Sequence, residues 1–402
     1  MILNNQTNNL RIVADENIPF VREFFRGLGS IETYPGRTLS SAQVMDADVL
    51  LVRSVTPVNE TLLAGSSVKF VGTCTIGTDH LDIDYLDRHG IAYASAPGCN
   101  ANSVVEYVFS VLAQLKPQWS SAKFGVVGCG NVGGSLYRRL KQLDLCVDVY
   151  DPFLDSAANP NLQSLEQVLS ADVICLHTPH TNSGPFPSYH LLHESRLQQL
   201  PKGCLLINAG RGPAIDNQAL KRLLKTRPDL TVALDVWEPE PELDTELMDL
   251  VQLSSPHIAG YSFDGKVEGT AMIYRALCAT LGCEPQHNAE ELLRHDQSNQ
   301  TPLNLADAEG TCEQVANQAI TMAYDVRADD RRTRDTLGAQ ACRDSNVVLA
   351  KRFDQLRKAY PKRREFPCFT IDALPRAFSS TQKKSLSKTL ATLGFILNCP
   401  SK

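Results

Sequence analysis

A chain of 402 residues is longer than one hydrophobic core sustains and points to two or three domains. Hydrophobic residues make up 43% and charged residues 21%, ordinary for a soluble globular protein, and a formal net charge of −6 gives no general attraction to nucleic acid or to an anionic membrane. The opening MILNNQTNNL lacks the charged-then-apolar pattern of a signal peptide, and no apolar run approaches the roughly 20 residues that span a bilayer, so a cytoplasmic protein is expected.

In the front third, RIVADEN is followed by the amphipathic IPFVREFFRGL, and VLLVRSV, VKFVGTCT and IAYASAPG then recur with polar connectors. This pattern predicts a parallel sheet with covering helices, whose ligands bind beyond the carboxyl ends of the strands. The residues just after these runs, Asp15 to Asn17, Arg53 and Ser54, Thr73 to Thr78 and Gly98 to Asn100, are small and polar, as a binding face needs. ANSVVEYVFSVLAQL is a long helix candidate. A second series then begins: KFGVVGCG, CVDVYDP, DVICLHTP, CLLINAG, TVALDVW and VQLSSPHIAG. Six such runs with helical connectors complete a dinucleotide-binding sheet. The stretch from Tyr261 to about Leu281 predicts a helix that returns the chain to the first domain. The polar, turn-rich CEPQHNAEELLRHDQSNQTP marks a boundary near 285–298. Beyond it lie a helix near Thr311 to Tyr324, a basic helix near Asn346 to Tyr360, an apolar CFTIDA run, a helix near Ser380 to Leu393 and a closing GFILNC run, together a small α+β unit.

Twelve cysteines include no C-x-x-C pair, and Cys146, Cys175 and Cys204 lie in apolar strand-like stretches, so buried free thiols are expected. His177, His180, His190 and His193 are spread over a loop rich in proline and serine, with no helix to align them, and no metal site is expected.

Gly128-Cys129-Gly130-Asn131-Val132-Gly133 is a G-x-G-x-x-G motif. It follows the apolar run KFGVV and opens a helix candidate, the context that makes a weak pattern specific. The first glycine permits the turn, the second lets backbone approach a pyrophosphate, and the third allows close helix–strand packing. The helix N-terminus offers free N–H groups to the phosphates. Asp151 closes the next strand, where a carboxylate bonds the ribose hydroxyls and repels a 2′-phosphate, so NAD is the expected cofactor.

Three further strand ends carry chemistry. Arg211, between Gly210 and Gly212, can clamp a carboxylate with its planar fork. Glu240 lies beyond a strand in a proline-rich turn, and His257 follows Pro256 at another strand end. Oxidising an alcohol requires a base for the hydroxyl proton while hydride leaves carbon, and a histidine with a carboxylate beside it suits that step.

GCGNVGG, INAGRG, LDVWEPEPEL and SPHIAGYS resemble, in order and spacing, the signatures of the D-isomer-specific 2-hydroxyacid dehydrogenase superfamily. Within it, DENIPF, LVRSVTPVNETLLAG, FVGTCTIGTDHLD, APGCNANSVVEYVFS, HIAGYSFDGKVEGT, MAYDVRADD and FDQLRKAYPKRREF are similar to the erythronate-4-phosphate dehydrogenase family. The resemblance implies NAD-dependent oxidation of 4-phospho-D-erythronate in vitamin B6 synthesis. It makes His257 the proton donor and acceptor, with Arg211 and Glu240 as partners. It puts Ser54, Thr75 and Tyr261 at the substrate, and Asp151, Thr178, Ala209, Gly210, Arg211, Asp235 and Gly260 at the cofactor. The implied α/β fold has two doubly wound parallel-sheet domains: a flavodoxin-like substrate domain over 1–100 and 261–285, and a Rossmann NAD domain over 101–260. A small α+β domain over 286–402 contributes to a homodimer. Cys129 and Gly210 stand where related sequences often carry other small residues, and the last forty residues match only loosely.

Arg53 and Ser54 together can meet a phosphate, although an arginine snorkelling over the sheet end explains Arg53 as well. The basic stretch Lys351 to Arg364 is a second phosphate candidate; with Asp354 and Glu365 interleaved it also reads as a solvated face or dimer contact rather than a nucleic-acid surface. Two alternatives stay open. A relative acting on another 2-hydroxy acid, such as 3-phosphoglycerate, would share the catalytic set, and a non-catalytic NAD(H)-sensing module would share the fold.

Overall fold

LRIVAD, with five of six side chains buried, forms β1 (Leu10–Asp15) at the heart of the first sheet. The structure, a computed structural model, describes residues 9–155, 159–296, 301–338 and 346–398; the first eight residues, Cys342 and Cys399 lie outside that description. The chain divides into two units, Met1–Asn100 with Ser262–Asn299, and Ala101–Tyr261 with Gln300–Lys402.

In the first unit, β2 (Gly29–Tyr34), β3 (Val49–Val52), β4 (Phe70–Thr73) and β5 (Ala92–Ala94) complete a parallel sheet of order β2-β1-β3-β4-β5. That is the flavodoxin-like order. The apolar runs of the sequence become β1, β3, β4 and β5. β2 was not among them, because at the sheet edge none of its six side chains is fully buried. The helix Phe263–Leu281 covers this sheet. Its Val267, Ala271, Ile273, Tyr274 and Leu277 join Ile12, Val49 and Phe70 in one apolar cluster. A Cβ on Gly72 would overlap the Ile273 side chain, so the glycine sets how closely helix and sheet approach. The helix Ala289–Asp296 packs on Phe263–Leu281 within this unit.

The second unit carries β6 (Lys123–Val127), β7 (Cys146–Tyr150), β8 (Val173–Leu176), β9 (Leu205–Asn208), β10 (Thr231–Leu234) and β11 (Leu253–Ser254), all parallel, in the order β11-β10-β9-β8-β6-β7. The four side chains of β8 and the four of β9 are all buried, as sheets covered on both faces require. Leu162 forms an isolated bridge to Val149 of β7, at the place where a further strand would extend the sheet. Strand order reverses around β6, which opens a crevice at the carboxyl ends of β6 and β8. Cys175 and Cys204 are buried as expected; Cys146 is exposed, because it opens β7 ahead of the strand's covered part.

The region after 300 adds a parallel three-stranded sheet, β12 (Thr301–Asn304), β13 (Phe369–Ala373) and β14 (Ile396–Leu397), with β13 central. Among the described residues four α-helices accompany it: Cys312–Ala323, Val326–Leu337, Asn346–Lys358 and Ser380–Leu393. Capping boxes at Thr311 with Gln314 and Ser379 with Gln382 fix the starts of the first and last. This region shares one hydrophobic cluster with the helix Ala101–Leu115 and with β6 and β7. Polar ties cross the same boundary: Ser110 Oγ donates to the Tyr324 carbonyl at 2.7 Å, and Trp119 Nε1 donates to Asn317 Oδ1 at 2.8 Å.

Candidate active site

The turn after β6 is built from what glycine lacks. Gly128 has φ 86°, and a Cβ there would stand 3.0 Å from the Thr178 nitrogen. A Cβ on Gly133 would overlap the Gly128 carbonyl oxygen, whereas Gly130 faces open space. Gly130 caps the helix Asn131–Gln142 without any side-chain hydrogen bond, so Asn131, Val132 and Gly133 present a helix N-terminus not already claimed by a capping side chain. Asp151 follows β7 directly; its Oδ2 accepts from the Cys129 N–H at 2.8 Å and its Oδ1 from the Phe153 N–H at 3.1 Å. Across the crevice, the Thr178 hydroxyl and both ring nitrogens of His177 are buried with no hydrogen-bond partner. Burial lowers the His177 pKa to about 4 and keeps the ring neutral. An open glycine, a helix N-terminus, a carboxylate on the next strand and an unsatisfied buried hydroxyl together fit a dinucleotide.

The proton-handling candidates stand at the carboxyl ends of three adjacent strands. Leu234 pairs with Asn208 on one side and Ser254 on the other, so β9, β10 and β11 end level. Arg211, Glu240 and His257 lie in the segments that follow. His257 Nδ1 is 2.7 Å from Glu240 Oε2, while Glu240 Oε1 accepts from the Trp237 N–H at 2.9 Å. Burial pushes the Glu240 pKa up, but the hydrogen bond and charge of His257, the Trp237 amide and the Arg357 charge together bring it below the usual value. An ionised carboxylate only accepts, so Nδ1 is the donor and the neutral ring keeps its lone pair on Nε2.

His257 has φ 57°, a left-handed conformation that a residue with a side chain holds only under constraint. Asp235 supplies that constraint. Its carbonyl accepts from the His257 N–H at 2.7 Å, and its carboxylate accepts from Ser255 Oγ at 2.6 Å, Ile258 N at 2.8 Å and Ala259 N at 2.9 Å. Burial raises the Asp235 pKa. Asp235, expected at the cofactor, is thus also the organiser of the loop from Ser255 to Gly260. Arg211 is exposed; its guanidinium donates to the Gly210 carbonyl at 2.9 Å and makes no ion pair among the described residues. A Cβ on Gly212 would overlap the Trp237 carbonyl, so this glycine lets the segments after β9 and β10 touch. Ala209 and Gly210 complete the first of those segments.

In the first unit, Arg53 follows β3 and forms a two-pronged ion pair with buried Asp15, at 3.0 and 3.3 Å. Ser54 beside it is exposed. Thr75 Oγ1 is 2.8 Å from Thr73 Oγ1, which also meets His80 Nε2 at 2.9 Å. The four loop histidines take separate roles: His190 meets Glu238 at 3.0 Å and His193 meets Ser195 at 3.0 Å, while His177 lines the crevice and His180 packs on Tyr189.

The region after 300 also reaches this site. Buried Arg363 donates through Nη2 to the Ala259 carbonyl at 2.7 Å and to the Ser103 carbonyl and hydroxyl, with its guanidinium 4.2 Å over the Tyr324 ring. Arg357 lies 5.2 Å over the ring of Tyr261. Both arginines lie in the basic stretch Lys351 to Arg364, for which a phosphate contact, a solvated face and a dimer contact stayed open; of its residues Arg363, with Glu365 just after it, is buried. No spacing signal distinguishes them from the exposed lysines between.

Residues 107–259 match the family model described as the NAD binding domain of D-isomer specific 2-hydroxyacid dehydrogenases, and 299–394 match one described as a domain of unknown function. The D-lactate dehydrogenase of Aquifex aeolicus, solved with NAD and lactic acid, aligns with a TM-score of 0.54 at 22% identity, over 68% of this chain and 95% of that one. The NAD-bound 3-phosphoglycerate dehydrogenase of Entamoeba histolytica gives 0.55 at 22% identity, over 70% and 99%. With the site, this places the protein among the NAD-dependent 2-hydroxyacid dehydrogenases. Curated relatives narrow the class. The erythronate-4-phosphate dehydrogenase of Cellvibrio japonicus is 51% identical over 96% of this chain and 99% of its own, and that of Saccharophagus degradans 48% identical over 91% and 95%. The chain belongs to the erythronate-4-phosphate dehydrogenase family.

Proposed function

We propose that the protein oxidises 4-phospho-D-erythronate to (R)-3-hydroxy-2-oxo-4-phosphooxybutanoate in vitamin B6 synthesis, with His257 as the acid/base. The observation that carries the mechanism is the 2.7 Å bond from His257 Nδ1 to Glu240. NAD, when bound, supplies the hydride acceptor. His257 Nε2 takes the proton from the C2 hydroxyl, and Glu240 stabilises the imidazolium that forms. Arg211, whose guanidinium has no carboxylate partner among the described residues, holds the substrate carboxylate and carbonyl oxygen. Ser54, Thr75, Tyr261 and Arg53 bind the rest of the substrate, within a substrate domain of 1–100 and 261–285. Gly128 to Gly133, Asp151, Thr178, Ala209 to Arg211, Asp235 and Gly260 hold the cofactor in the domain over 101–260.

The same reading makes the protein a cytoplasmic homodimer joined through the region after 285. Family membership supports it, and among the described residues no helix is long and apolar enough to cross a membrane. The test is turnover of 4-phospho-D-erythronate with NAD and a 2-oxo acid acceptor, alongside 3-phosphoglycerate, following 2-oxo product and NADH. Selective turnover of the erythronate ester is expected. Turnover of 3-phosphoglycerate alone would overturn the substrate, and NADH binding without turnover of either would favour a sensing module.

A further inference from the structure

A phosphorylated 2-hydroxy acid carries two anionic ends, and Arg211 answers only one. Arg53, the obvious second cation, spends Nε and Nη2 on Asp15. Arg363 also leaves Nε and Nη1 without a partner, but it is buried, lies over the Tyr324 ring and is fixed through Nη2 to the carbonyls of Ser103 and Ala259, whereas Arg357 is only half-buried. Arg357 differs from both. It sits in the last turn of the helix Asn346–Lys358, with its guanidinium 5.2 Å over the Tyr261 ring and 5.8 Å over the Phe353 ring. Its Nε is buried without a hydrogen-bond partner, and among the described residues no carboxylate pairs with it.

Two aromatic faces thus hold the guanidinium in place and leave its hydrogen-bonding edge unused, which is the arrangement of a preformed anion site. The location agrees. Tyr261 is four residues past His257, and Tyr360, just beyond the helix end, meets the Tyr261 ring edge-on at 6.2 Å. The Arg357 charge is also felt at Glu240, where it helps keep the carboxylate ionised.

We propose that Arg357 receives the phosphate of the substrate and so sets the preference for phosphorylated over unphosphorylated 2-hydroxy acids, an inference that rests on the function proposed above. The cation comes from the region after 300.

The test compares wild type, Arg357→Lys and Arg357→Met on 4-phospho-D-erythronate and on D-erythronate, with NADH binding followed by fluorescence. Loss of a paired, partly desolvated guanidinium lowers kcat/KM about 10²-fold more for the ester than for the unphosphorylated acid. Arg357→Lys, which keeps the charge and loses the fork, falls between and covers the case in which the methionine variant folds poorly. Any effect through Glu240 strikes both substrates alike and cancels in the ratio. Equal losses, or an unchanged ratio, would overturn the assignment. Calorimetric titration with inorganic phosphate is independent of the substrate reading: wild type binds and Arg357→Met does not. Equal binding by both, or none by wild type, would overturn the anion site, whereas failure of the wild type to oxidise the ester would overturn only the function it rests on.

Discussion

The turn after β6 and the loop after β11 belong to one sheet and are made rigid in opposite ways. At Gly128 to Gly133 the shape comes chiefly from missing side chains: Gly128 and Gly133 let backbone meet backbone, and the one side chain that ties the turn is Asp151, from the next strand. At Ser255 to Gly260 the shape comes from side chains supplied from afar. Asp235 ties down Ser255, His257, Ile258 and Ala259, and Arg363, more than a hundred residues on, holds the Ala259 carbonyl. A site that binds phosphates can be written locally, because backbone N–H groups suffice. One that must hold an imidazole at a chosen angle draws on the tertiary fold.

The sharpest test of this contrast is His257→Ala, expected to lower kcat by ~10²–10⁴ while NADH affinity, measured by fluorescence titration, stays at the wild-type value. An unchanged kcat would remove His257 from the chemistry. Gly133→Ala should do the reverse. Forcing a methyl against the Gly128 carbonyl costs about 1–3 kcal/mol of backbone shift, read as NADH binding weakened by about tenfold or more. Asp235→Asn blurs the two regions: an amide cannot serve all three donors, so the unfolding free energy in urea should fall by about 1–3 kcal/mol and kcat with it. If stability falls and kcat does not, Asp235 is structural only. The smallest effect is on pH. The folded pKa of Glu240 lies below its ordinary value, so its stabilisation is complete above the unfolded pKa and is lost as pH falls through the lowered folded one. Comparing Tm against pH for wild type and Glu240→Gln should show the acid-side loss flattened in the variant.

The same contrast decides what could be read from the sequence. The glycine motif, Asp151 and the buried runs of β6 to β11 were legible because period, turn chemistry and spacing are local properties. β2 escaped because an edge strand with no fully buried side chain has no apolar run to find. The helix Val326–Leu337 escaped for another reason: its buried face is Val326, Asp329, Thr333 and Leu337, so half of its inward positions are polar. Asp329 accepts there from the hydroxyls of Tyr324 and Tyr360 at 2.7 and 2.9 Å. β12 contains Pro302 and has one buried residue in four. Arg211, Glu240 and His257 were singled out by their strand ends, but the bonds and ring contacts that Asp235, Arg357 and Arg363 make around them depend on contacts that no window of sequence contains.

The apolar cluster shared by Ala101–Leu115, β6, β7 and the region after 300 has a consequence for how the protein is made. On the ribosome the whole dinucleotide sheet, with Arg211, Glu240 and His257, emerges before the helices Cys312–Ala323 and Val326–Leu337 that pack on Ala101–Leu115. Until the region after 300 arrives, a nascent chain carries the loop Ser255 to Gly260 without the Arg363 bond and with one face of the helix Ala101–Leu115 bare. Activity is therefore a late product of synthesis, and a chain interrupted near residue 300 exposes sticky surface rather than leaving a smaller working dehydrogenase.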